Sequence, residues 1–236
     1  MTEQKKGAKM GSLDVEKNRV TSILRCKVVI VGSPTVGKTS LCQMASSNGS
    51  LFPKKYNMVR RGGGKISRPR LLRTDPRSSL SKTVGVDLYV IPIRLEGTTQ
   101  IVELFAYDVG GQDVFIDCCE EHLHDANYVL LCFNMYDDAT FRELNDWLSL
   151  VLKSRKQTSD PPCGVLVGNK ADLNQHATMV NENDVKHWAA SKSFAYFEVS
   201  ALPQGGTWKK PFEYIAKDFK LKYDDFVERT KLVRTE

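Results

Sequence analysis

Gly32-Ser33-Pro34-Thr35-Val36-Gly37-Lys38-Thr39 is a complete G-x-x-x-x-G-K-T phosphate-binding loop. It follows the apolar run Cys26-Lys27-Val28-Val29-Ile30-Val31 and precedes the helix-like stretch Ser40-Leu41-Cys42-Gln43-Met44-Ala45. Strand, glycine loop and helix form the context in which this motif has physical meaning. Glycines let backbone N–H groups close around phosphate oxygens, and a helix N-terminus adds positive dipole character. The Lys38 ammonium is expected on the terminal phosphates and the Thr39 hydroxyl on Mg²⁺.

Outward from the loop, strand and helix patterns alternate. Strands are expected at 26–31, 86–95, 101–107, 128–133, 165–167 and 196–199, the second and third paired as a hairpin through Glu96-Gly97-Thr98-Thr99. Helices are expected to about Ser46, over Thr140–Lys153, over Asp184–Ser191, and from Pro211 to about Arg229. In the last, Phe212, Ile215, Phe219, Tyr223 and Phe226 form an apolar stripe, expected to be core. The pattern predicts an α/β fold, a mostly parallel six-stranded sheet with helices on both faces and its ligand beyond the carboxyl ends of the strands.

Each further motif sits just past such an end. Asp108-Val109-Gly110-Gly111-Gln112 offers a carboxylate for Mg²⁺, a glycine N–H at 111 for a terminal phosphate, and Gln112 to orient an attacking water, the one candidate catalytic residue. Gly168-Asn169-Lys170-Ala171-Asp172 reads as a guanine-recognition motif. The Asp172 carboxylate can accept from the N1–H and the exocyclic amine of guanine. Adenine lacks that donor pair and leaves a desolvated carboxylate unpaired. Lys170 can lay its stem along the base, and Asn169 can tie this loop to the phosphate loop. Ser200-Ala201-Leu202 places the Ala201 N–H near guanine O6. Upstream, the Thr83 hydroxyl is expected to complete the Mg²⁺ shell with Thr39 and Asp108. Phe52 is expected to stack on the base, against the competing reading of a loop aromatic in the core, and Tyr56 to cover the phosphates. The candidate phosphate contacts are thus Gly32, Thr35, Val36, Gly37, Lys38, Thr39, Ser40, Thr83 and Gly111.

Composition bounds the rest. No apolar run approaches the roughly 18 residues of a membrane span. The start, Met1-Thr2-Glu3-Gln4-Lys5-Lys6, lacks a signal-peptide h-region, and Leu232-Val233-Arg234-Thr235-Glu236 carries no prenylatable cysteine, so no direct lipid anchor is expected. Six scattered cysteines without a C-x-x-C pair suit reduced cytosolic thiols. For Cys118, Cys119, His122 and His124, a polar helix after a loop is favoured over a metal site. Of the formal charge of +6, residues 59–82 hold eight cationic side chains against Asp75, a net +7 that leaves −1 for the remainder. The charge is one cationic loop on a nearly neutral body, so no nucleic-acid partner is expected.

The order of these motifs resembles the Ras-like small GTPases over about residues 24 to 225. Leu24-Arg25-Cys26-Lys27-Val28, Phe52-Pro53-Lys54-Lys55-Tyr56-Asn57-Met58, Thr83-Val84-Gly85-Val86-Asp87-Leu88, Val102-Glu103-Leu104-Phe105, Gly164-Val165-Leu166-Val167-Gly168-Asn169-Lys170 and Pro211-Phe212-Glu213-Tyr214-Ile215-Ala216 are similar to the Rab-like GTPases of intraflagellar transport. The resemblance implies a G domain over 24–229 between a flexible extension, 1–23, and a tail, 230–236. It implies a GTP/GDP- and Mg²⁺-binding subunit of intraflagellar transport complex B, paired with a small β-sandwich subunit through about 211–229 and docked on a coiled-coil pair. The location implied is cytoplasm, cilium or flagellum, and basal body. Hydrolysis is expected to be slow, on the order of 10⁻⁴ to 10⁻² s⁻¹ without an activator.

Two features depart from the pattern. Pro34 takes a loop position where an N–H is usual, and proline cannot donate. GTP binding is expected to survive, and the missing donor bears on hydrolysis. Residues 59–82 interrupt the first switch and stand open between a functional cationic loop and a retained intron. Two rival readings follow: a GTP-binding scaffold subunit that does not hydrolyse, and a Rab-type GTPase of vesicle traffic, which the tail without a lipidation cysteine opposes.

Overall fold

The computed structural model describes residues 22–50, 85–111, 122–154, 163–173 and 180–233. Its strands are β1 (Ser22–Val31), β2 (Val86–Arg94), β3 (Gln100–Val109), β4 (Tyr128–Asn134), β5 (Cys163–Asn169) and β6 (Ala195–Glu198). Its α-helices are α1 (Lys38–Ser46), α2 (Asp138–Arg142), α3 (Leu144–Ser154), α4 (Glu182–Ser191) and α5 (Lys210–Val233). Single 3₁₀ turns lie at Ala171–Leu173 and Thr207–Lys209.

One sheet holds all six strands in the order β2-β3-β1-β4-β5-β6. Every pairing is parallel except the β2–β3 hairpin. Side chains alternate across the pleat, so β1 feeds two cores. Cys26, Val28 and Ile30 pack with Leu41 and Met44 of α1 and Phe212 and Ile215 of α5. Val29 and Val31 pack on the other face with Leu144, Trp147 and Val151 of α3 and Val185 and Ala189 of α4. β4, covered on both faces, is an almost unbroken apolar run, as buried parallel strands are. No described helix is long and apolar enough to cross a membrane.

The expected elements are present, most with ends shifted by one to four residues, and three differences bear on the packing. β1 starts at Ser22 rather than Cys26, because Ser22–Arg25 pair with Gln100–Glu103 while alternate side chains face solvent. Arg25 reaches Glu103 at 3.5 Å on that outer face. The helix expected over Thr140–Lys153 is two helices, meeting at Glu143, where ψ flattens to −8°. The apolar stripe of α5 is core only in its first half. Phe212 and Ile215 are fully buried, but Phe226 is 66% exposed and Tyr223 42%, because α5 runs on past the sheet.

Candidate functional site

The phosphate loop leaves β1 at Val31 and is held tightly from both sides. Gly32 lies so close to β4 that a Cβ there would come within 2.1 Å of the Cys132 carbonyl oxygen. Gly37, at φ 100°, caps α1 without a side-chain hydrogen bond, and a Cβ there would fall 2.3 Å from Asn169 Nδ2. The first turn of α1 carries no acidic residue, so no carboxylate on that turn opposes an anion at the positive end of the helix dipole. Thr35 (φ 65°) turns the loop, and Val36 is buried.

Lys38 folds back over this loop. Its ammonium donates to the Gly32 carbonyl (2.5 Å) and the Ser33 carbonyl (3.0 Å). Burial lowers its pKa below the ordinary lysine value, and the Asp108 charge opposes that fall. Thr39 donates its hydroxyl to Asp108 Oδ2 at 2.5 Å, and Asp108 is fully buried near the tip of β3. A hydroxyl oxygen beside a buried carboxylate is a hard donor pair suited to Mg²⁺. Gly111 rides directly on the loop, since a Cβ there would meet Pro34 N at 2.6 Å and Gly32 O at 2.7 Å. A small backbone-only residue is what that approach requires.

At the end of β5, Asn169 donates from Nδ2 to the Val36 carbonyl at 2.8 Å, which joins the two loops as the sequence suggested. Its Oδ1 is buried without a hydrogen-bond partner among the described residues, an acceptor that a bound donor would satisfy. Lys170 (φ 68°) turns the chain, and burial lowers its pKa. Asp172 sits in the 3₁₀ turn, exposed, and its Oδ1 accepts from the Ser200 hydroxyl at 2.5 Å. Ala171 N–H donates to Val199 O at 3.0 Å, so the Asn169–Asp172 and Ser200–Leu202 loops lie side by side. Leu202 N–H donates to Ser200 Oγ at 3.1 Å.

The donor set fits a magnesium nucleotide: a helix N-terminus and an ammonium for phosphate, Thr39 with Asp108 for the metal, Asp172 for a pair of N–H donors. Gly32, Thr35, Val36, Gly37, Lys38, Thr39 and Ser40 form one segment from β1 into α1, and Asp108 and Gly111 meet it from β3. Phe52, Tyr56, Thr83, Gln112, Cys118, Cys119 and the cationic stretch 59–82 lie outside the described residues. His122 stacks on Tyr107 with centroids 5.7 Å apart, and His124 pairs with Asp125 at 2.7 Å.

Two contacts escaped the sequence reading. Ser33 donates its hydroxyl to Glu143, tying the phosphate loop to the α2–α3 junction across 110 residues. No local pattern announces that pair. Thr207 Oγ1 accepts from Ser200 N–H at 3.0 Å. Its signal was available in Gly205-Gly206-Thr207, a double glycine closing the loop after Ser200.

Comparison with known proteins agrees with this geometry. The Ras family model matches residues 70–221. The chain is 32% identical to intraflagellar transport protein 27 of Chlamydomonas reinhardtii, covering 91% of this chain and 93% of that one. It is 30% identical to the intraflagellar transport protein 27 homolog of Mus musculus over 87% of this chain and 95% of the other. With Ras-related protein Rab-28 of Caenorhabditis elegans the identity is 28% over 82% of this chain and 66% of that one.

Proposed function

The chain belongs to the Ras family and, within it, to the group of intraflagellar transport protein 27, and from that membership we propose that it is a GTP-dependent switch subunit of intraflagellar transport complex B. Ras-family GTPases bind GTP, GDP and Mg²⁺, and the chain's own residues suit each part. The N-terminal amides of α1 and the Lys38 ammonium bind the phosphate chain. Thr39 and Asp108, with Thr83, hold Mg²⁺, which when bound neutralises charge on the phosphate oxygens. Asp172 accepts the N1–H and 2-amino group of guanine, Ala201 N–H donates to O6, Lys170 and Phe52 flank the base, and Gln112 orients water. The segments at Thr83 and Gly111 tighten on the triphosphate and relax on the diphosphate. Turnover without an activator is slow, on the order of 10⁻⁴ to 10⁻² s⁻¹, because positioning is incomplete.

The observation that carries this reading is the Asn169–Val36 hydrogen bond, which ties the candidate base-reading loop to the candidate phosphate-reading loop. The test is calorimetry with Mg²⁺ and folded protein: GDP binds at least about a hundredfold tighter than ADP. Equal affinities overturn the reading.

For partners, the outer half of α5 supports docking of a small β-sandwich subunit, since Tyr223 (42% exposed) and Phe226 (66%) carry apolar surface into solvent on one face. A coiled-coil pair of the same complex is the second expected partner, and the location is the cytoplasm, basal body and cilium. Pro34 favours a second reading, in which nucleotide only stabilises a scaffold. Partner affinity measured with GDP and with a non-hydrolysable GTP analogue separates the two: equal values favour the scaffold.

A further inference from the structure

Between the Ser200–Leu202 loop and α5 the chain makes a turn to which nucleotide binding as described assigns no residue. Gly205 (φ 89°) and Gly206 (φ 60°) both adopt left-handed backbone in open space. They are glycines for conformation rather than packing, and they reverse the chain so that Thr207 returns to Ser200. The Thr207 hydroxyl oxygen then accepts from Ser200 N–H at 3.0 Å. Ser200 is itself 7% exposed, and its hydroxyl donates to Asp172 Oδ1 at 2.5 Å.

The turn is anchored from below. Trp208, 4% exposed, packs in the core with Leu41, Ala45 and Phe212. Its Cζ2 lies 3.1 Å from the position of a Cβ on Gly49. Gly49 belongs to the cap of α1: Gly49 N–H donates to Met44 O at 2.9 Å and Asn48 N–H to Ala45 O at 3.3 Å, with Asn48 left-handed at φ 49°. The helix that starts at the phosphate loop therefore ends on the tryptophan whose neighbour holds Ser200.

We propose that Thr207 is a specificity-determining positioning residue: by fixing Ser200 it fixes the Asp172 carboxylate, and so sets how strongly the site prefers a purine carrying a 2-amino group. The inference rests on the guanine reading of Asp172 given above. A carboxylate discriminates by geometry, because both of its bonds to the base need the carboxylate plane aligned with the purine edge. Without Thr207 Oγ1 the Ser200 N–H loses its partner, the Ser200 hydroxyl loses its aim, and the Asp172 carboxylate can rotate. The loss falls on the second bond to the base. Guanine makes that bond and hypoxanthine, which has N1–H but no 2-amino group, does not.

The experiment measures affinities of the full chain for GDP, IDP and ADP with Mg²⁺, in wild type, Thr207→Val and Thr207→Ser, each checked by thermal melting. Thr207→Val keeps the shape and removes the acceptor. It is expected to weaken GDP by roughly three- to tenfold, the worth of one hydrogen bond, and IDP much less, so the preference for GDP over IDP falls. Thr207→Ser keeps the hydroxyl and restores that preference. If Thr207→Val does not fold, Thr207→Ala carries the same readout. An unchanged GDP-to-IDP ratio overturns the proposal, including the case where both affinities fall together, which marks purely structural support. Failure of Thr207→Ser to rescue overturns it as well. A wild-type protein without preference for GDP over ADP instead overturns the guanine reading itself.

Discussion

Thr39 Oγ1 lies 2.5 Å from Asp108 Oδ2, joining the first turn of α1 to the tip of β3 across 69 residues. The pair places two oxygen donors of different charge at one point beside the phosphate loop. Each residue is expected to act on nucleotide retention through the metal. Thr39→Ala and Asp108→Asn should each raise the Mg²⁺ concentration that half-protects bound GDP from release, by about ten- to a hundredfold. Because the two share one partner, the double variant should be little worse than either single one. Release rates of a fluorescent GDP across a Mg²⁺ titration check this, and additive effects would separate the two roles.

Gly37 and Asn169 make a second coupled pair. The Asn169 amide occupies the space where a Cβ on Gly37 would lie, at 2.3 Å. Asn169→Ala leaves the Val36 carbonyl without its bond, a loss of about 1–3 kcal/mol for a buried acceptor, and should weaken GDP accordingly. Gly37→Ala should be worse, since it adds a clash to the strain of φ 100°. In the Asn169→Ala background the clash is gone and only the strain remains. Gly37→Ala should therefore cost less affinity there than in wild type. Four calorimetric titrations with GDP close this cycle. An equal cost in both backgrounds would mean that the Asn169 side chain moves aside freely.

How much of this was legible in sequence follows from chain separation. Gly32 to Thr39 and Asn169 to Asp172 each act within a few residues, and each motif sits where an apolar run stops, so both were readable. The Asn169–Val36 tie was foreseen because it joins two motifs already recognised. The Ser33–Glu143 contact was not, because it pairs a motif residue with a surface glutamate in a stretch whose apolar spacing runs on unbroken through Phe141, Leu144 and Trp147. That same continuity concealed the break between α2 and α3. The outer half of α5 was misread for a related reason. A stripe at helical spacing says which face is apolar, whereas the end of the sheet beneath it is set by strand length elsewhere in the chain. Gly164 is another silent position: a Cβ there would strike the Phe194 ring at 2.0 Å, a packing relation between β5 and the turn before β6 that spacing does not encode.

The buried thiols give the fold an alkaline limit. Burial pushes the Cys132 thiol from 9.0 up to about 12, and it raises Cys26 and Cys42 as well. Above about pH 9 the unfolded chain has given up the Cys132 proton while the folded chain retains it. The folded state then binds more protons, so its stability falls as pH rises from about 9 toward 12. Lys38, lowered by burial, contributes with the opposite sign up to its ordinary value of 10.5, so the thiol is best isolated by difference. Cys132→Ala should be less stable than wild type at pH 8, and that gap should narrow by up to about 1.4 kcal/mol per pH unit above 9. Urea unfolding at pH 8, 9 and 10 measures it. A constant gap would place the Cys132 proton loss elsewhere.

Hydrolysis tests the remaining motif. Gly111 packs on the phosphate loop within reach of Pro34, where a Cβ would meet Pro34 N at 2.6 Å, and Gln112 is the next residue in the chain. Two local requirements of the reaction thus converge on this corner: a side chain to orient water, and backbone N–H groups to stabilise charge on the transferring phosphoryl group. The first is expected from Gln112; the second is weakened at residue 34, because proline has no N–H. Gln112→Leu should slow single-turnover GTP hydrolysis by roughly ten- to a hundredfold with GDP affinity unchanged. Pro34→Gly should raise the rate by supplying the missing donor, and Gln112→Leu in that background should remove the gain. Rates that ignore both substitutions would assign water positioning to another residue, whereas no turnover in any of the variants would support the scaffold reading, in which the bound nucleotide braces the fold and is not hydrolysed.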